Sequence, residues 1–483
     1  MIPTMLILLA ALLSAPSLAE DCDAFTQPRL QHILNRRTDS RQRTGNTARL
    51  LINGSAAFRQ RLESAEDAEL IFVKTFIYTD DETGRQIANL LARRAREGAT
   101  VILQYDIKGS LGSIASLSEL REDTEKGELL GDPPMMEMLR ASGVMVVPTN
   151  VPRTRKSVRQ FIETREDLPD GVLRRRWALR NFNHFDHEKY WITGHRQADG
   201  SLRLRAILGG MNIASEYAYG GTEQVDATSG RAGWRDLDVE VQGPVTNDIM
   251  RRYLQVLGLN LDEPIEKLQQ EAWNPPQPIV GEAEIRFIWN QPALGNRRTI
   301  ERLYRTLLRI TPRGSPVRIQ SAYFSPGPRF IVSFVRTLRR DRELIVVTNS
   351  AESIDVPLIP AASRFQYRLL MRADQKVQLY EWRHRPEVGE ATLHNKAAAF
   401  GHCGPVVIGS ANLDGQSSEH NSESVVVITD PTLRAEFDAM FDVDISPDSA
   451  TLITWEELTR GGALDWLRQW GMYRIGWYFL SDG

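Results

Sequence analysis

The sequence predicts a two-domain α/β protein whose halves share one plan about a pseudo-two-fold axis, each a mixed sheet with helices on both faces. Three observations carry that expectation. First, His187-Glu188-Lys189 precedes Gly209-Gly210-Met211-Asn212, and His394-Asn395-Lys396 precedes Gly409-Ser410-Ala411-Asn412. With 8 His and 8 Lys among 483 residues, roughly 0.13 chance His-x-Lys matches are expected. Two matches, each trailed by the same turn, point to one ancestral unit used twice. Second, residues 68–106 and 316–348 both read strand, helix, strand, the arrangement that favours a parallel or mixed sheet. Third, Asp236 stands eight residues before Pro244 and Glu423 eight before Pro431, each acid opening an apolar strand.

Taken in order, residues 1–19 read as a secretory signal, with an apolar run from Met5 to Leu13 and the small residues Ser17 and Ala19 at the cleavage-determining positions. The run is shorter than the ~20 residues that cross a bilayer, so an exported, periplasmic or secreted protein is expected. The first domain is placed at 20–262. In it Leu70-Ile71-Phe72-Val73 is a strand, Asp80-Asp81-Glu82 opens a helix, and Gly98 ends that helix before Thr100-Val101-Ile102-Leu103. Residues 263–282 are the linker, because Asn274-Pro275-Pro276-Gln277-Pro278 can continue neither a helix nor a central strand. The second domain is 283–450, with Ser325-Pro326 opening its helix and Leu344-Ile345-Val346-Val347 its next strand. An aromatic tail, 451–483, closes the chain.

Composition narrows the function classes. A 42% hydrophobic, 25% charged chain is globular rather than disordered, and a net charge of -3 supplies no global field for nucleic acid or membrane. The two cysteines, Cys22 and Cys403, could pair after export or stay unpaired; the sequence leaves both open.

The duplicated residues fit phosphodiester chemistry. A neutral imidazole can attack phosphorus to give a phosphohistidine, and a second, protonated imidazole can protonate the departing alkoxide. Lys189 and Lys396, two residues after His187 and His394, share a strand face with them and would neutralise the phosphoryl oxygens. Asn212 and Asn412 would donate amide hydrogen bonds to the same oxygens, with Ser410 as helper. Asp236 and Glu423 would each accept a bond from an imidazole nitrogen and fix its tautomer. Glu223, eleven residues after Asn212 as Glu423 is after Asn412, competes with Asp236; the strand-and-proline alignment favours Asp236. No cofactor and no metal are called for, and His184-Phe185-Asp186-His187 and the group His402, Cys403 and His420 match no closed zinc set.

Together these residues resemble the phospholipase D superfamily, whose signature is a duplicated His-x-Lys-x4-Asp followed by Gly-Gly/Ser-x-Asn. Trp234-Arg235-Asp236, Thr348-Asn349-Ser350 with Asp355-Val356, and Asn412-Leu413-Asp414 with Ser417, Asn421 and Glu423 are most similar to its bacterial cardiolipin synthase branch. The resemblance implies two phospholipase D-like α/β/α sandwich domains with the active site between them in one monomer. It also implies His187 as nucleophile and His394 as acid. This chain departs from the signature at Gly194 and Gly401, where the closing aspartates would stand, and at Gln416, where arginine is common.

The expected reaction is phosphatidyl transfer on a phospholipid such as phosphatidylglycerol. The alternatives are phospholipase D hydrolysis to phosphatidic acid, a secreted nuclease, and a silent lipid-binding homologue. Nine basic residues against four acids within 153–180 could attract anionic headgroups or nucleic acid. Trp466, Trp470, Tyr473 and Trp477 fall on one helical face, suiting either a membrane interface or packing on the protein's own surface. That stripe disfavours nucleic acid as partner.

Overall fold

The computed structural model describes residues 24–110, 134–150 and 184–481, apart from 228, 262, 263, 293, 294, 357, 358 and 375. The signal segment, Cys22 and the basic segment 153–180 lie outside the described residues.

Among the described residues fifteen strands form one hydrogen-bonded sheet. The first seven are β1 (Gln42–Ile52), β2 (Leu70–Thr75), β3 (Thr100–Asp106), β4 (Met145–Thr149), β5 (Tyr190–Arg196), β6 (Leu202–Gly209) and β7 (Leu237–Gln242). The remainder are β8 (Ala283–Asn290), β9 (Pro316–Ser321), β10 (Glu343–Asn349), β11 (Val377–Trp382), β12 (Lys396–Phe400), β13 (Val406–Gly409), β14 (Glu423–Thr429) and β15 (Ala450–Leu452). The order β1-β7-β6-β5-β2-β3-β4 in the first half is matched strand for strand by β8-β14-β13-β12-β9-β10-β11 in the second. β15 is an extra antiparallel edge on β11. In both halves the strands joined through helices run parallel (β2 with β3, β9 with β10) and the hairpin-linked ones antiparallel (β5 with β6, β12 with β13).

The two half-sheets meet at β1, which changes partner part-way along. Gln42, Arg43 and Asn46 pair with β8 across a register shift, and Thr47–Ile52 pair with β7. β13 of the second half in turn touches β6 and β7 of the first. One apolar core is consequently shared: Leu50, Val239, Ile285, Phe287 and Ile408 pack with the helices Val245–Asn260 and Pro431–Asp444. Two further cores are private, one centred on Ile71, Leu91 and Leu103, the other on Ile319, Leu344 and Phe334.

Local signals explain the elements. β2 is buried along its whole length, as a strand covered on both faces must be. The helix Glu82–Arg96 is capped by Asp81, whose carboxylate accepts the Gly84 N–H. Asp430 caps Pro431–Asp444 in the same way, with Pro431 at the first helical position. The expected helix at Ser325 begins instead at Pro328, because Ser325 and Gly327 each precede a proline, which disfavours the α region and leaves Gly327 extended at ψ 166°.

Near the boundaries, Leu30 and Leu34 of the N-terminal helix Pro28–Thr38 pack in the second half's core with Leu303 and Leu307. Residues read as linker hold a short helix, Lys267–Trp273, and Trp273 meets Phe72 edge-on at 5.2 Å. Cys403 is disulfide-bonded.

Candidate active site

The sheet topology gathers the duplicated residues. In each half His-x-Lys lies at the start of one strand (β5 or β12), the glycine turn at the end of its antiparallel neighbour (β6 or β13), and the acid at the start of the next (β7 or β14). Antiparallel neighbours alternate direction, so start, end and start share one edge.

The carboxylates are exchanged between the halves. His187 Nδ1 lies 3.0 Å from both Glu423 Oε1 and Oε2, and His394 Nδ1 lies 2.7 Å from Asp236 Oδ2. The backbone enforces the exchange. The His187 N–H donates to the Ser422 carbonyl at 2.9 Å and the Ser422 N–H to the Phe185 carbonyl at 2.9 Å. The same brace recurs where the His394 N–H donates to Arg235 at 2.7 Å and the Arg235 N–H to Thr392 at 2.8 Å. With Nδ1 held, Nε2 of each ring is the atom left for chemistry. Asp236 is therefore the residue paired with His394, while Glu223 is exposed.

Each carboxylate is held by further donors. Asp236 accepts the Leu237 N–H at 2.7 Å. Glu423 accepts from the Ser410 and Ser417 hydroxyls and from Asn421 Nδ2 at 3.3 Å. Ser410, expected as a helper toward the phosphoryl group, thus serves Glu423. Its counterpart Gly210 has no room for a side chain, since a Cβ there would sit 2.3 Å from Asp236 Oδ1. Gly210→Ala is expected to displace the carboxylate from His394 and lower turnover about 100-fold, with folding retained by circular dichroism. Ser410→Ala should cost nearer tenfold, the loss of one hydrogen bond to a charged group.

Lys189 Nζ and Lys396 Nζ donate back to the carbonyls of His187 (2.8 Å) and His394 (2.5 Å), which fixes each ammonium beside its imidazole. The two asparagines differ. Asn212 Oδ1 accepts the Ile77 N–H at 3.0 Å and its Nδ2 donates to the Tyr217 hydroxyl at 2.8 Å. Asn412 is buried and its Oδ1 has no hydrogen-bond partner among the described residues. The turn carrying Asn212 is fixed from behind by Arg61, which donates to the Met211 carbonyl at 3.2 Å and to Asp238 at 2.6 Å.

Burial dominates the electrostatics. It pushes Asp236 up to about 7 and Glu423 up to about 8, and it brings Lys189 down to about 7 and Lys396 down to about 8. Both histidines lie well below the usual imidazole value, from burial first and then from the lysines. His187 is therefore neutral at physiological pH. Activity should rise with pH as Asp236 and Glu423 lose protons and fall as Lys189 and Lys396 lose theirs. The expected kcat/KM profile is a narrow bell between about pH 7 and 8; a plateau running from pH 5 to 10 would contradict it.

The glycines that replace the signature aspartates sit away from this chemistry. Gly194 lies five residues beyond Lys189 along β5, roughly 17 Å at strand rise, among Leu70, Leu202 and Leu204. Gly401, at φ +65°, packs against Phe25, and its carbonyl accepts from Arg434. Neither touches the paired residues.

Two aromatic residues at the site, Phe76 and Tyr217, lie outside the motifs, whereas Trp234 belongs to the Trp234-Arg235-Asp236 stretch. Phe76 meets His187 edge-on at 4.8 Å, and Tyr217 and Trp234 face His394 at 5.1 and 5.4 Å. Tyr217 could have been found, because it follows Asn212 by five residues as Ser417 follows Asn412. Among the described residues no group of three or more His, Cys, Asp or Glu is arranged to hold a metal ion, and no helix is long and apolar enough to cross a membrane.

A family model described as "Cardiolipin synthase, PLD-like domain" matches residues 310–445. Cardiolipin synthase B of Shigella flexneri is 27% identical over 90% of this chain and 91% of its own length. Cardiolipin synthase C of Escherichia coli K12 is 25% identical over 85% and 86%. The solved structure of phosphatidylserine synthase from Haemophilus influenzae Rd KW20 superposes with a TM-score of 0.58 at 13% identity, covering 92% of this chain and 97% of that one.

Proposed function

The chain belongs to the phospholipase D superfamily, on its cardiolipin synthase branch, and from that premise we propose a phosphatidyltransferase working through a phosphohistidine on His187. The crossed pairing of each imidazole with a carboxylate of the other half is the observation that carries this reading.

Nε2 of neutral His187 attacks phosphorus, and its Nδ1–H bond to Glu423 offsets the positive charge that develops on the ring. The leaving alkoxide takes a proton from His394 Nε2, while Asp236 stabilises the imidazolium beforehand. Burial first, and then Lys396 and Lys189, hold His394 deprotonated in the free site, and an anionic phosphodiester offsets the lysines. In the second step His394 takes the proton of the incoming alcohol, whose oxygen forms the new P–O bond as the P–N bond breaks. The family analogy assigns His187 as nucleophile.

The substrate is proposed to be a glycerophospholipid such as phosphatidylglycerol, because named relatives are cardiolipin synthases. Purified protein incubated with phosphatidylglycerol vesicles, with and without added glycerol, provides the test. Cardiolipin or labelled phosphatidylglycerol, absent with His187→Ala, supports transfer; phosphatidic acid alone would make the protein a hydrolase, and unchanged lipid would overturn the reading.

Export is proposed on the signal-like 1–19 segment and on the disulfide at Cys403, a bond that persists in oxidising compartments. Recovery of the protein only in cytosolic fractions would sink this. Peripheral membrane contact is proposed for the helix Gly462–Ser481. It lies along Ile359–Ala373 and beside Gly415–Glu419, which follows Asn412, with Tyr473 stacked on Phe365 at 5.0 Å. Leu464, Leu467 and Trp470 stay 82%, 51% and 44% exposed on its outer face. Leu467→Glu with Trp470→Glu is expected to weaken flotation with anionic vesicles about tenfold, leaving hydrolysis of a short-chain soluble substrate intact; unchanged flotation would remove this surface from consideration.

A further inference from the structure

The halves share a plan, yet the two walls of the site differ in chemistry. Register and hydrogen bonds align Thr75 with Ser321: each lies opposite the catalytic lysine's strand, and each hydroxyl donates 2.7 Å to the carbonyl two residues on, Ile77 or Tyr323. Phe76 then corresponds to Ala322, and Ile77 to Tyr323. On the His187 side the wall is aromatic. Phe76 contacts both His187 and Phe185, and Lys189 Nζ lies 5.3 Å above its ring. On the His394 side Tyr217 and Trp234 also face the ring, but the segment equivalent to Phe76-Ile77 adds a polar pair. The Tyr323 hydroxyl lies 2.8 and 2.7 Å from the two oxygens of exposed Asp355.

Tyr323 is anchored to the catalytic strands through its neighbours. The Ala322 N–H donates to the Asn395 carbonyl at 3.1 Å, between His394 and Lys396, and the Leu413 N–H donates to Ser321 at 3.2 Å. Phe324 bridges to Leu413, so Tyr323 and the Asp355 carboxylate bonded to its hydroxyl stand beside the loop that carries Asn412.

We infer that Asp355, oriented by Tyr323, is the specificity residue for the acceptor alcohol, taking a hydrogen bond from a hydroxyl adjacent to the one that attacks phosphorus and so selecting vicinal diols. The inference rests on the transferase reading and assigns direction to it. The apolar His187 wall receives the glyceryl side of the donor, and the Asp355 side receives a polyol headgroup. As the attacking hydroxyl gives its proton to His394 Nε2, its neighbour donates to Asp355. A monohydric alcohol forgoes that bond and leaves the exposed carboxylate to Tyr323, so the preference for the diol is the worth of one hydrogen bond to a charged group.

The test offers phosphatidylglycerol vesicles equimolar deuterated glycerol and 1-propanol, and measures labelled phosphatidylglycerol against phosphatidylpropanol by mass spectrometry. Wild-type protein should favour glycerol. Asp355→Asn should lower that preference at least tenfold, roughly the worth of a hydrogen bond to a charged group, and Tyr323→Phe should lower it by less. An unchanged ratio in Asp355→Asn would overturn the inference. Equal loss of both products would overturn it too, because Asp355 would then support His394 instead of contacting the acceptor. Absence of both products with wild-type protein would be a failure of the transferase reading itself.

Discussion

His187→Ala is expected to abolish phosphatidyl transfer, lowering kcat on the order of 10⁴-fold or more, because it removes the imidazole proposed as nucleophile. His394→Ala should cost about 10²- to 10⁴-fold, the range of a positioned acid and base. The crossed contacts make a sharper expectation. Glu423→Gln should add little to His187→Ala, and Asp236→Asn should add little to His394→Ala, since each pair acts as a unit. The same-half combinations, Asp236→Asn with His187→Ala and Glu423→Gln with His394→Ala, share no hydrogen bond. Single-turnover rates on a short-chain soluble phosphodiester give all four comparisons. Coupling within halves instead of across them would refute the assignment of partners.

The second large effect concerns stability. Lys74 is buried between Asp186, at 2.7 Å, and Glu188, and Arg252 donates to Glu188 at 2.8 and 3.1 Å. Against the burial that would raise it, Arg252 and Lys74 hold the Glu188 carboxyl at about 2. Lys74→Met leaves two buried carboxylates facing one guanidinium. Breaking such a network typically costs about 3–5 kcal/mol, readable as a fall in the urea midpoint. The second half shows how the position is filled without charge: Asn395 Nδ2 donates to Gln320 at 2.9 Å in the register that Glu188 and Lys74 occupy. Lys74→Gln with Glu188→Asn should therefore recover at least half of the loss. A double variant as unstable as Lys74→Met would show that the ion pair itself, not its balance, is what the site requires.

These two predictions differ in how far they could be read from sequence. His187, His394 and their lysines were legible because a period-two pattern beside a glycine turn occurs twice and has a chemical reason to do so. The fold was legible through the same duplication. The partner of each imidazole was not legible, because Asp236 and Glu423 lie 158 and 236 residues from the histidines they bind. Local spacing carries no information about which strand edges face each other. Lys74 and Arg252 escaped notice for a related reason: a lysine inside an apolar run and an arginine on a helix acquire meaning only when the shared core brings them to Glu188. Ser410 is legible as a polar residue of the turn, but its bond to Glu423 depends on the extra methylene that glutamate has over aspartate, matched by glycine at position 210.

An exchange in which one copy's acid serves the other copy's base is what an isologous dimer produces, where residue i meets j and j meets i. Joining the copies into one polypeptide lifts the symmetry constraint. In a true dimer, a phenylalanine at position 76 would appear on both walls, and one substrate would meet identical surroundings on either side. In one polypeptide Phe76 can stand on one side alone and the Tyr323–Asp355 pair on the other, so the two sides of the site are free to meet different parts of a substrate.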